Sequence, residues 1–282
     1  MTGTVAPRPC SAERPLALIK GAGDLATGVA LRLFRAGFAV AMTEIAHPTV
    51  VRRTVAFAEA VFVEHVTVEG VEGALANDAV HVRRLLAQGA IAVVVDPEAA
   101  VRHELRPVLL VDAIVAKRNL HTCITDAPAV VALGPGFVAG RDAHAVIETQ
   151  RGHTLGRVIT AGEALPNTGI PGEIGGRGAE RVLRSPEGGI LRAVREIGDR
   201  VRAGETVAYV GDVPVRSQLD GVLRGLIRPG LQVSAGLKLG DVDPRGSREH
   251  CYLVSDKAMA IAGGALEAAC ALLGGVRFIS VS

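Results

Sequence analysis

Residues 16–26 read LALIKGAGDLA, and this stretch decides how the first half of the chain is interpreted. The short apolar run Leu16–Lys20 enters a G-x-G-x-x-A sequence, and Leu25, Val29 and Leu33 follow at helical spacing. In dinucleotide-binding folds, such glycines permit a tight turn and bring backbone amides up to a pyrophosphate at the helix N-terminus. The stretch therefore predicts a strand, a glycine turn and a helix.

Further apolar runs of strand length alternate with helical stretches up to about residue 148. The predicted strands are Phe38–Thr43, Val61–Val68, Ile91–Val95, Leu109–Val115, Ala129–Leu133 and Ala143–Ile147, with a helix at Ala79–Ala87. Short continuous apolar strands between helices favour a parallel sheet that is covered on both faces. The predicted fold class is α/β, with residues 16–165 forming a Rossmann-like parallel sheet domain that binds a nucleotide or cofactor.

An internal repeat marks the second half of the chain. GILRAVREIGDRVRAG, residues 189–204, aligns without gaps on GVLRGLIRPGLQVSAG, residues 221–236, and two such halves can bury their apolar faces on each other. The repeat resembles the biotinyl/lipoyl-like barrel-sandwich hybrid, so residues 185–245 are predicted to form an all-β barrel-sandwich domain. The linker at 210–217 has no lysine to modify, and Lys238 lies beyond the second half, which excludes biotin and lipoate as cofactors.

The remaining segments complete the predicted organisation. Residues 1–15 are small and proline-dotted, which predicts a disordered tail rather than an export signal. Residues 166–184 form a Gly-rich loop that we expect to close over a ligand. Residues 246–282 predict a C-terminal helix that docks back on a domain, with Ser255 as its N-cap.

The composition excludes several classes of protein. A hydrophobic content of 49% in 282 residues rules out a mostly disordered chain. No apolar run approaches the roughly 18 residues of a membrane helix. Lys+Arg 31 against Asp+Glu 29, with 3% aromatic residues and no tryptophan, argues against a nucleic-acid-binding protein. The four cysteines lie far apart without a CxxC pair, so the expected location is the reducing cytoplasm.

Lysine is rare in this chain, with only four among the 31 basic residues. A solvated surface charge can be lysine or arginine, whereas a site that needs a compact ammonium requires lysine. Either the lysines are enriched as functional candidates or they survive by chance. They are Lys20, Lys117, Lys238 and Lys257.

Polar residues accumulate where the predicted strands end. In an open parallel sheet these loops meet at the carboxyl edge, where such folds bind ligands. Cations, glycine turns and an acid suit a large anionic ligand with a heterocycle, and the alternative is that they are ordinary polar loops. The predicted cofactor-binding residues are Lys20, Gly21, Gly23, Asp24, Glu44, Lys117, Arg118, Asn119, Gly134, Gly136, Arg151 and His153.

Three of the candidate residues have alternative interpretations. Glu44 ends the second predicted strand, where an acid would bind a ribose 2′-hydroxyl. In the alternative interpretation there is no nucleotide site, and the glycines at 21 and 23 only permit a close helix–strand crossing. Asp24 lies in the first turn of the helix, where its charge would repel a phosphate. Cys123 is the one catalytic candidate, as a sulfur nucleophile or a metal ligand, and the alternative is a buried inert cysteine.

No metal site is predicted. The eight histidines show no HxH or HExxH spacing. Asp241 and Asp243 either hold Mg²⁺ beside a phosphate or belong to the turn chemistry of the Asp-Pro step. The lack of a G-x-S-x-G sequence and of a Walker lysine argues against a serine hydrolase and a P-loop enzyme.

Several longer motifs occur between about residue 16 and residue 275. They are KGAGDLATG at 20–28, AKRN at 116–119, ALGPGF at 132–137, ETQRGH at 148–153, GDVDPRG at 240–246 and SDK at 255–257. Together they resemble the YqeB family, whose members are named selenium-dependent molybdenum hydroxylase system proteins.

The resemblance implies a cytoplasmic accessory protein that helps to mature molybdenum hydroxylases. Its anionic small-molecule ligand would be a molybdopterin-type cofactor or the nucleotide moiety of one. Its partners would be the client hydroxylase and, in a homo-oligomer, a second copy of the chain. The alternatives are an NAD(P)-dependent oxidoreductase with a non-catalytic barrel domain and a purely structural partner protein. The sequence leaves open whether the protein is an enzyme.

Overall fold

The computed structural model describes residues 14–169 and 172–274. The strands of its first part are β1 (Leu16–Lys20), β2 (Ala39–Glu44), β3 (His65–Val68), β4 (Val71–Ala76), β5 (Ile91–Val95), β6 (Leu109–Asp112), β7 (Ala129–Leu133), β8 (Val138–Ala139), β9 (Ala145–Ile147), β10 (Val158–Ile159) and β11 (Gly162–Glu163). The helices of this part are α1 (Asp24–Arg35), α2 (Ala60–Val63), α3 (Ala79–Ala87) and α4 (Arg102–Leu105).

Nine of these strands form one large sheet, in the order β10-β9-β7-β6-β1-β2-β5-β4-β3. The strands from β9 through β4 run parallel, whereas β3 is antiparallel to β4 and β10 is antiparallel to β9. Strands β8 and β11 form a separate antiparallel pair. Because the central strands are parallel, the loops that follow β1, β2, β6 and β7 emerge at the same edge of the sheet.

The second part of the chain consists of short antiparallel strands and one long helix. The strands are β12 (Val182–Arg184), β13 (Gly189–Ala193), β14 (Arg200–Val201), β15 (Thr206–Val210), β16 (Val213–Arg216), β17 (Gly221–Leu226), β18 (Gln232–Val233) and β19 (Lys238–Asp243). They pair into two four-stranded sheets, β12-β19-β17-β14 and β16-β15-β13-β18. Their shared core includes Leu191, Val207, Leu223 and Leu239. Helix α5 (Asp256–Leu272) follows.

Helices cover both faces of the large sheet. Ala17 and Ile19 of β1 belong to the apolar layer that contains α1 and α5, and Leu18 belongs to the opposite layer with α3 and α4. Helices α1 and α5 approach so closely that a Cβ on Gly28 would lie 3.0 Å from the Cβ of Ala258. The last described helix therefore covers the sheet beside the first one.

The predicted fold class, a Rossmann-like parallel sheet with a biotinyl/lipoyl-like barrel-sandwich and a terminal helix, is wrong as a description of this architecture. The large sheet is mixed, and the C-terminal strands divide into two antiparallel sheets, one of which includes β12 from the segment predicted as a loop. At one edge the reason is the connection Glu69–Gly70, whose φ angles of 46° and 78° close a tight hairpin and turn β3 against β4. The predicted strand Val61–Val68 is also wrong in its first half, because α2 extends to Val63.

Parts of the predicted organisation fall outside the described residues. The tail at 1–15 is described only from Arg14, so Cys10 is not included, and the segment 246–282 is described only to Gly274. Within the two described ranges, no helix has both the length and the apolar character needed to cross a lipid bilayer. The division of the chain into domains stays a prediction.

Candidate functional site

Two adjoining cavities open along the carboxyl edge of the large sheet. The first, of about 490 Å³, lies at the turn after β1, and we call it the glycine-turn cavity. The second, of about 830 Å³, lies between this edge, the segments 165–168 and 172–174, strands β17 and β19 and the start of α5, and we call it the junction cavity. Both volumes suit small-molecule ligands. The cavities form one cleft because they share wall residues, namely Gly23, Asp24, Leu25, Thr49, Val50 and Val115.

The turn after β1 needs glycine for a close backbone contact. Gly21 has a φ of +90°, and a Cβ at this position would lie 3.2 Å from the carbonyl oxygen of Ala113. Its N–H donates to the carbonyl of Thr43 at 2.9 Å, and Gly23 is the N-cap residue of α1. The turn therefore ties β1 to β2 and to the loop after β6 before it enters the helix.

Glu44, at the end of β2, holds this turn through its carboxylate. Its Oε2 accepts a hydrogen bond from the N–H of Ala22 at 2.9 Å, and its Oε1 accepts one from the N–H of Ile45 at 2.8 Å. In a dinucleotide-binding turn, amides in this position face a phosphate. The Ala22 amide is instead paired within the protein, so the turn offers fewer donors to an anion than the sequence suggests.

Lys20 lies in the protein interior, with 3% of its surface exposed. Its Nζ donates to Thr122 Oγ1 at 2.7 Å and to the carbonyl of Leu120 at 3.1 Å, and it lies 3.6 Å from Asp112 Oδ2. Thr122 Oγ1 in turn donates to Asp112 Oδ2 at 2.5 Å. Lys20 therefore fixes the loop after β6 against β1 and contacts neither cavity.

The loop after β6 is held by further internal contacts. Asn119 donates through Nδ2 to the carbonyl of Thr122 at 2.8 Å and accepts the N–H of Thr122 at 2.7 Å. Gly136, from the loop after β7, lets the backbone approach so closely that a Cβ there would lie 2.6 Å from Arg118 Cα. These residues shape the rim of the cleft without lining it.

The structure brings together about half of the residues predicted from the sequence. Those that line the cleft are Gly21, Gly23, Asp24, Glu44, Lys117 and Arg151. Those outside its walls are Lys20, Arg118, Asn119, Cys123, Gly134, Gly136 and His153. Cys123 is exposed, so it is not the buried thiol of the alternative interpretation.

The wall of the junction cavity is strongly basic. Seven cationic residues line it, against three acidic ones, Asp24, Glu173 and Asp241. The excess of positive charge favours anions, and low-dielectric walls strengthen the attraction. The cations are Arg52, Lys117, Arg151, Arg181, Arg224, Lys238 and Lys257.

Arg52 is the most unusual of these cations because it is buried without a carboxylate partner among the described residues. It is 6% exposed, and its Nη2 donates to the carbonyls of His250 and Leu253, both at 2.8 Å. Its Nε and Nη1 are buried and have no hydrogen-bond partner within the described part of the chain. Burial lowers the pKa of Arg52, Arg224 lowers it further, and Asp24 opposes both effects.

Carboxylates of β19 hold the neighbouring arginines. Arg181 Nη1 donates to Asp241 Oδ1, and Arg224 lies 3.8 Å from both Asp241 Oδ2 and Asp243 Oδ2. Burial alone would raise the pKa of Asp243, but hydrogen bonds from Arg245 keep it below its usual value. These carboxylates are thus engaged by arginines. Within the described residues, no group of three or more His, Cys, Asp and Glu side chains is arranged to hold a metal ion.

Lys238 and Lys257 contribute two ammonium groups to the junction cavity. Burial lowers the pKa of Lys238, and it lowers the pKa of Lys257 together with the charge of Arg151. Neither ammonium group forms a hydrogen bond or ion pair with a described residue. The motif-based site prediction omitted both, together with the buried arginines, although the rarity of lysine in the sequence had singled the two lysines out.

The comparison with solved structures finds loose likenesses. An aspartoacylase family protein from Mesorhizobium loti is 12% identical, with 82% of this chain and 85% of that chain covered and a TM-score of 0.27. A succinylglutamate desuccinylase from a Silicibacter species is 13% identical, with coverage of 82% and 85% and a TM-score of 0.25. Overlaps this small carry no argument about the fold or the function of this chain.

The comparison with sequences gives a much stronger match. No model of a known protein family matches the chain. The chain is 52% identical over 253 residues to a protein of Escherichia coli (strain K12) whose curated description is "Uncharacterized protein YqeB". The match covers 90% of this chain and 47% of that protein, so the chain spans about half the length of its relative. This identity supports membership of the YqeB family for the region that the two chains share.

Proposed function

We propose that the cleft binds a molybdopterin-type cofactor, or the nucleotide moiety of one, and that the protein is an accessory factor in the maturation of molybdenum hydroxylases. The observation that carries the ligand class is the basic wall of the junction cavity, with the buried and incompletely paired guanidinium of Arg52. The proposal that the client enzymes are molybdenum hydroxylases rests on the resemblance of the motifs to selenium-dependent molybdenum hydroxylase system proteins.

The two cavities suit the two ends of such a ligand. The glycine-turn cavity has apolar walls at Ile45, Val50 and Ile114, where a flat heterocycle can bury its faces. The junction cavity offers cations for the anionic end. When bound, a molybdopterin-type cofactor would supply a pterin ring and a phosphate ester for this recognition.

The chain's own residues have distinct parts in the proposal. Glu44 keeps the glycine turn in shape through Ala22, and Lys20 keeps the loop after β6 in place, so both act as positioning residues. Asp24 lines both cavities and limits how much negative charge fits between them. Lys238 and Lys257 bind the ligand's charge.

The ligand can be identified by mass spectrometry of small molecules that co-purify with the full-length protein. We expect a pterin nucleotide or a molybdopterin derivative, released when the protein is denatured. Recovery of NAD or NADP, with substrate turnover by the purified protein, would contradict the proposal and favour the oxidoreductase alternative.

The accessory role needs a cellular test. Deleting the gene in a host that makes a molybdenum hydroxylase should lower that enzyme's activity while leaving the amount of its polypeptide unchanged. Restoring the wild-type chain should restore activity, and a Lys238→Gln, Lys257→Gln double variant should restore much less. Full hydroxylase activity without the protein would refute the role.

A further inference from the structure

The junction cavity contains a cluster of positive charge that the described residues neutralise only in part. Arg52 has two buried nitrogens without acceptors, and the ammonium groups of Lys238 and Lys257 have no ion pair or hydrogen bond among the described residues. Arg224 lies close, but its Nε also lacks a hydrogen-bond acceptor there and its contacts to Asp241 and Asp243 are long, at 3.8 Å. Buried charges without partners are costly, because desolvation is not offset by an opposite charge.

These cations come from distant parts of the chain. Arg52 belongs to the segment after β2, Arg224 to β17, Lys238 to β19 and Lys257 to the first turn of α5. They nevertheless line one cavity. The cluster therefore exists only because the large sheet and the C-terminal strands are joined at this cavity.

Asp24 is an acidic residue that influences three of these cations, Arg52, Lys238 and Lys257. Its carboxylate raises the pKa of Arg52, Lys238 and Lys257, in each case against the larger opposing effect of burial. Asp241 also raises the pKa of Arg52 and Lys238, and Glu148 and Asp256 raise the pKa of Lys257, but the lowering effect of burial is the largest in each case. Asp24 acts as a partial internal counter-charge that an incoming anion has to compete with.

We infer that Arg52, Arg224, Lys238 and Lys257 form a phosphate-binding subsite at the junction cavity, and that the ligand's phosphate or diphosphate group binds here instead of at the glycine turn. The assignment rests on the cleft of the proposed function and orients the ligand within it. The turn is the less suitable end because its Ala22 amide is already bonded to Glu44. Arginine supplies flat, forked donors to phosphate oxygens, and the lysines supply point charges.

The subsite can be tested with inorganic pyrophosphate as the probe, by calorimetric titration of the full chain in low-salt buffer. We expect one binding site per chain, with an affinity that falls as sodium chloride is added. Lys238→Gln and Lys257→Gln should each weaken binding about tenfold or more, since each removes a charge-assisted contact. Arg157→Gln, which removes one exposed charge away from the cleft, should bind like the wild type.

Asp24→Asn provides a test in the opposite direction. Removing the internal counter-charge should tighten pyrophosphate binding several-fold. The two lysine variants should also melt no lower than the wild type in the absence of pyrophosphate, because they remove unpaired charges. Variants that melt lower and bind pyrophosphate unchanged would show that the lysines are structural and would overturn the subsite, as would a wild-type chain that binds no pyrophosphate.

The outcomes for the subsite and for the proposed function are separable. If a pterin nucleotide co-purifies equally well with wild type and with both lysine variants, the subsite is wrong and the function stands. If the lysine variants bind pyrophosphate more weakly and Asp24→Asn binds it more tightly than the wild type, while no pterin compound co-purifies, the subsite is right and the proposed identity of the ligand is wrong.

Discussion

The carboxylate of Glu44 accepts the backbone N–H of Ala22 at 2.9 Å, so the end of β2 fixes the shape of the turn that follows β1. Its second oxygen accepts the N–H of Ile45 at 2.8 Å, and both carboxylate oxygens therefore face donors. Sequence position alone suggests that this acid binds a ribose. The contacts show that it first stabilises the protein's own backbone.

Glu44→Gln should therefore lower the free energy of unfolding. An amide can accept only one of the two N–H groups and turns its own NH₂ towards the other, so we expect a loss of about 1–3 kcal/mol. Urea denaturation followed by circular dichroism measures the loss. Glu98→Gln is the matched control. Glu98 lines the glycine-turn cavity, as Glu44 does, but its side chain accepts no hydrogen bond from a described residue. Equal stability of the two variants would contradict the role given to Glu44.

Lys20→Met should destabilise the protein more strongly. The change leaves the carboxylate of Asp112, which is 1% exposed, without its cationic partner, and breaking a buried pair from one side costs about 3–5 kcal/mol. Lys117→Met, in the exposed loop after β6, should change stability by no more than about 0.5 kcal/mol. Chemical denaturation of both variants provides the comparison. A Lys20→Met chain as stable as the wild type would indicate that Lys20 is free to bind ligand instead.

Gly136→Ala should damage the rim of the cleft. The new Cβ would lie 2.6 Å from Arg118 Cα, and a φ of +106° is unfavourable for alanine, so we expect a loss of about 2–5 kcal/mol. Gly140→Ala isolates the backbone strain, because its φ is +86° and nothing lies within 4 Å of a Cβ there. That control should lose only about 1–2 kcal/mol. The difference in melting temperature between Gly136→Ala and Gly140→Ala measures the effect of the steric clash. Equal melting temperatures would show that Gly136→Ala causes no clash.

Local sequence patterns predict some elements with correct bounds. The continuous apolar run Ile91–Val95 is β5, and the helical pattern Ala79–Ala87 is α3, where Asp78 accepts the N–H of His81 at 2.7 Å as an N-cap. The same patterns do not predict the direction of the strands at the edges of the sheet. Apolar content does not specify direction, and the tight turn at Glu69–Gly70 decides the pairing of β3.

The basic wall of the junction cavity shows why part of the candidate site escapes sequence analysis. Arg52 and Arg53 are adjacent, yet Arg52 is buried without a carboxylate partner in the described part of the chain, whereas Arg53 pairs with Glu59 and Glu196. No local motif separates the two, because tertiary packing decides which guanidinium is covered. The rarity of lysine predicts the residues of this cavity better than the local motifs do, since three of the four lysines line it.

The ion pair between Arg151 and Asp256 should make part of the stability depend on acid pH. Two hydrogen bonds of 2.9 and 3.1 Å join the side chains, and Arg151 lowers the pKa of Asp256 to about 2, against the opposing effect of burial. Since the folded pKa lies below the unfolded value of about 3.9, the contribution is fully present above pH 4 and is lost as the pH falls through about 2. Both groups are partly exposed, so solvent screening keeps the pair within about 1 kcal/mol.

Asp256→Asn should accordingly destabilise the protein slightly at pH 7, and the difference from the wild type should shrink between pH 4 and pH 2. A double-mutant cycle with Arg151→Gln, measured by urea denaturation at several pH values, separates the pair from the favourable position of Asp256 at the start of α5. A coupling energy that does not change between pH 7 and pH 2 would show that the pair does not cause the acid dependence. Because Arg151 also lines the junction cavity, its pairing with Asp256 makes its charge less available to an anion there than the ammonium groups of Lys238 and Lys257.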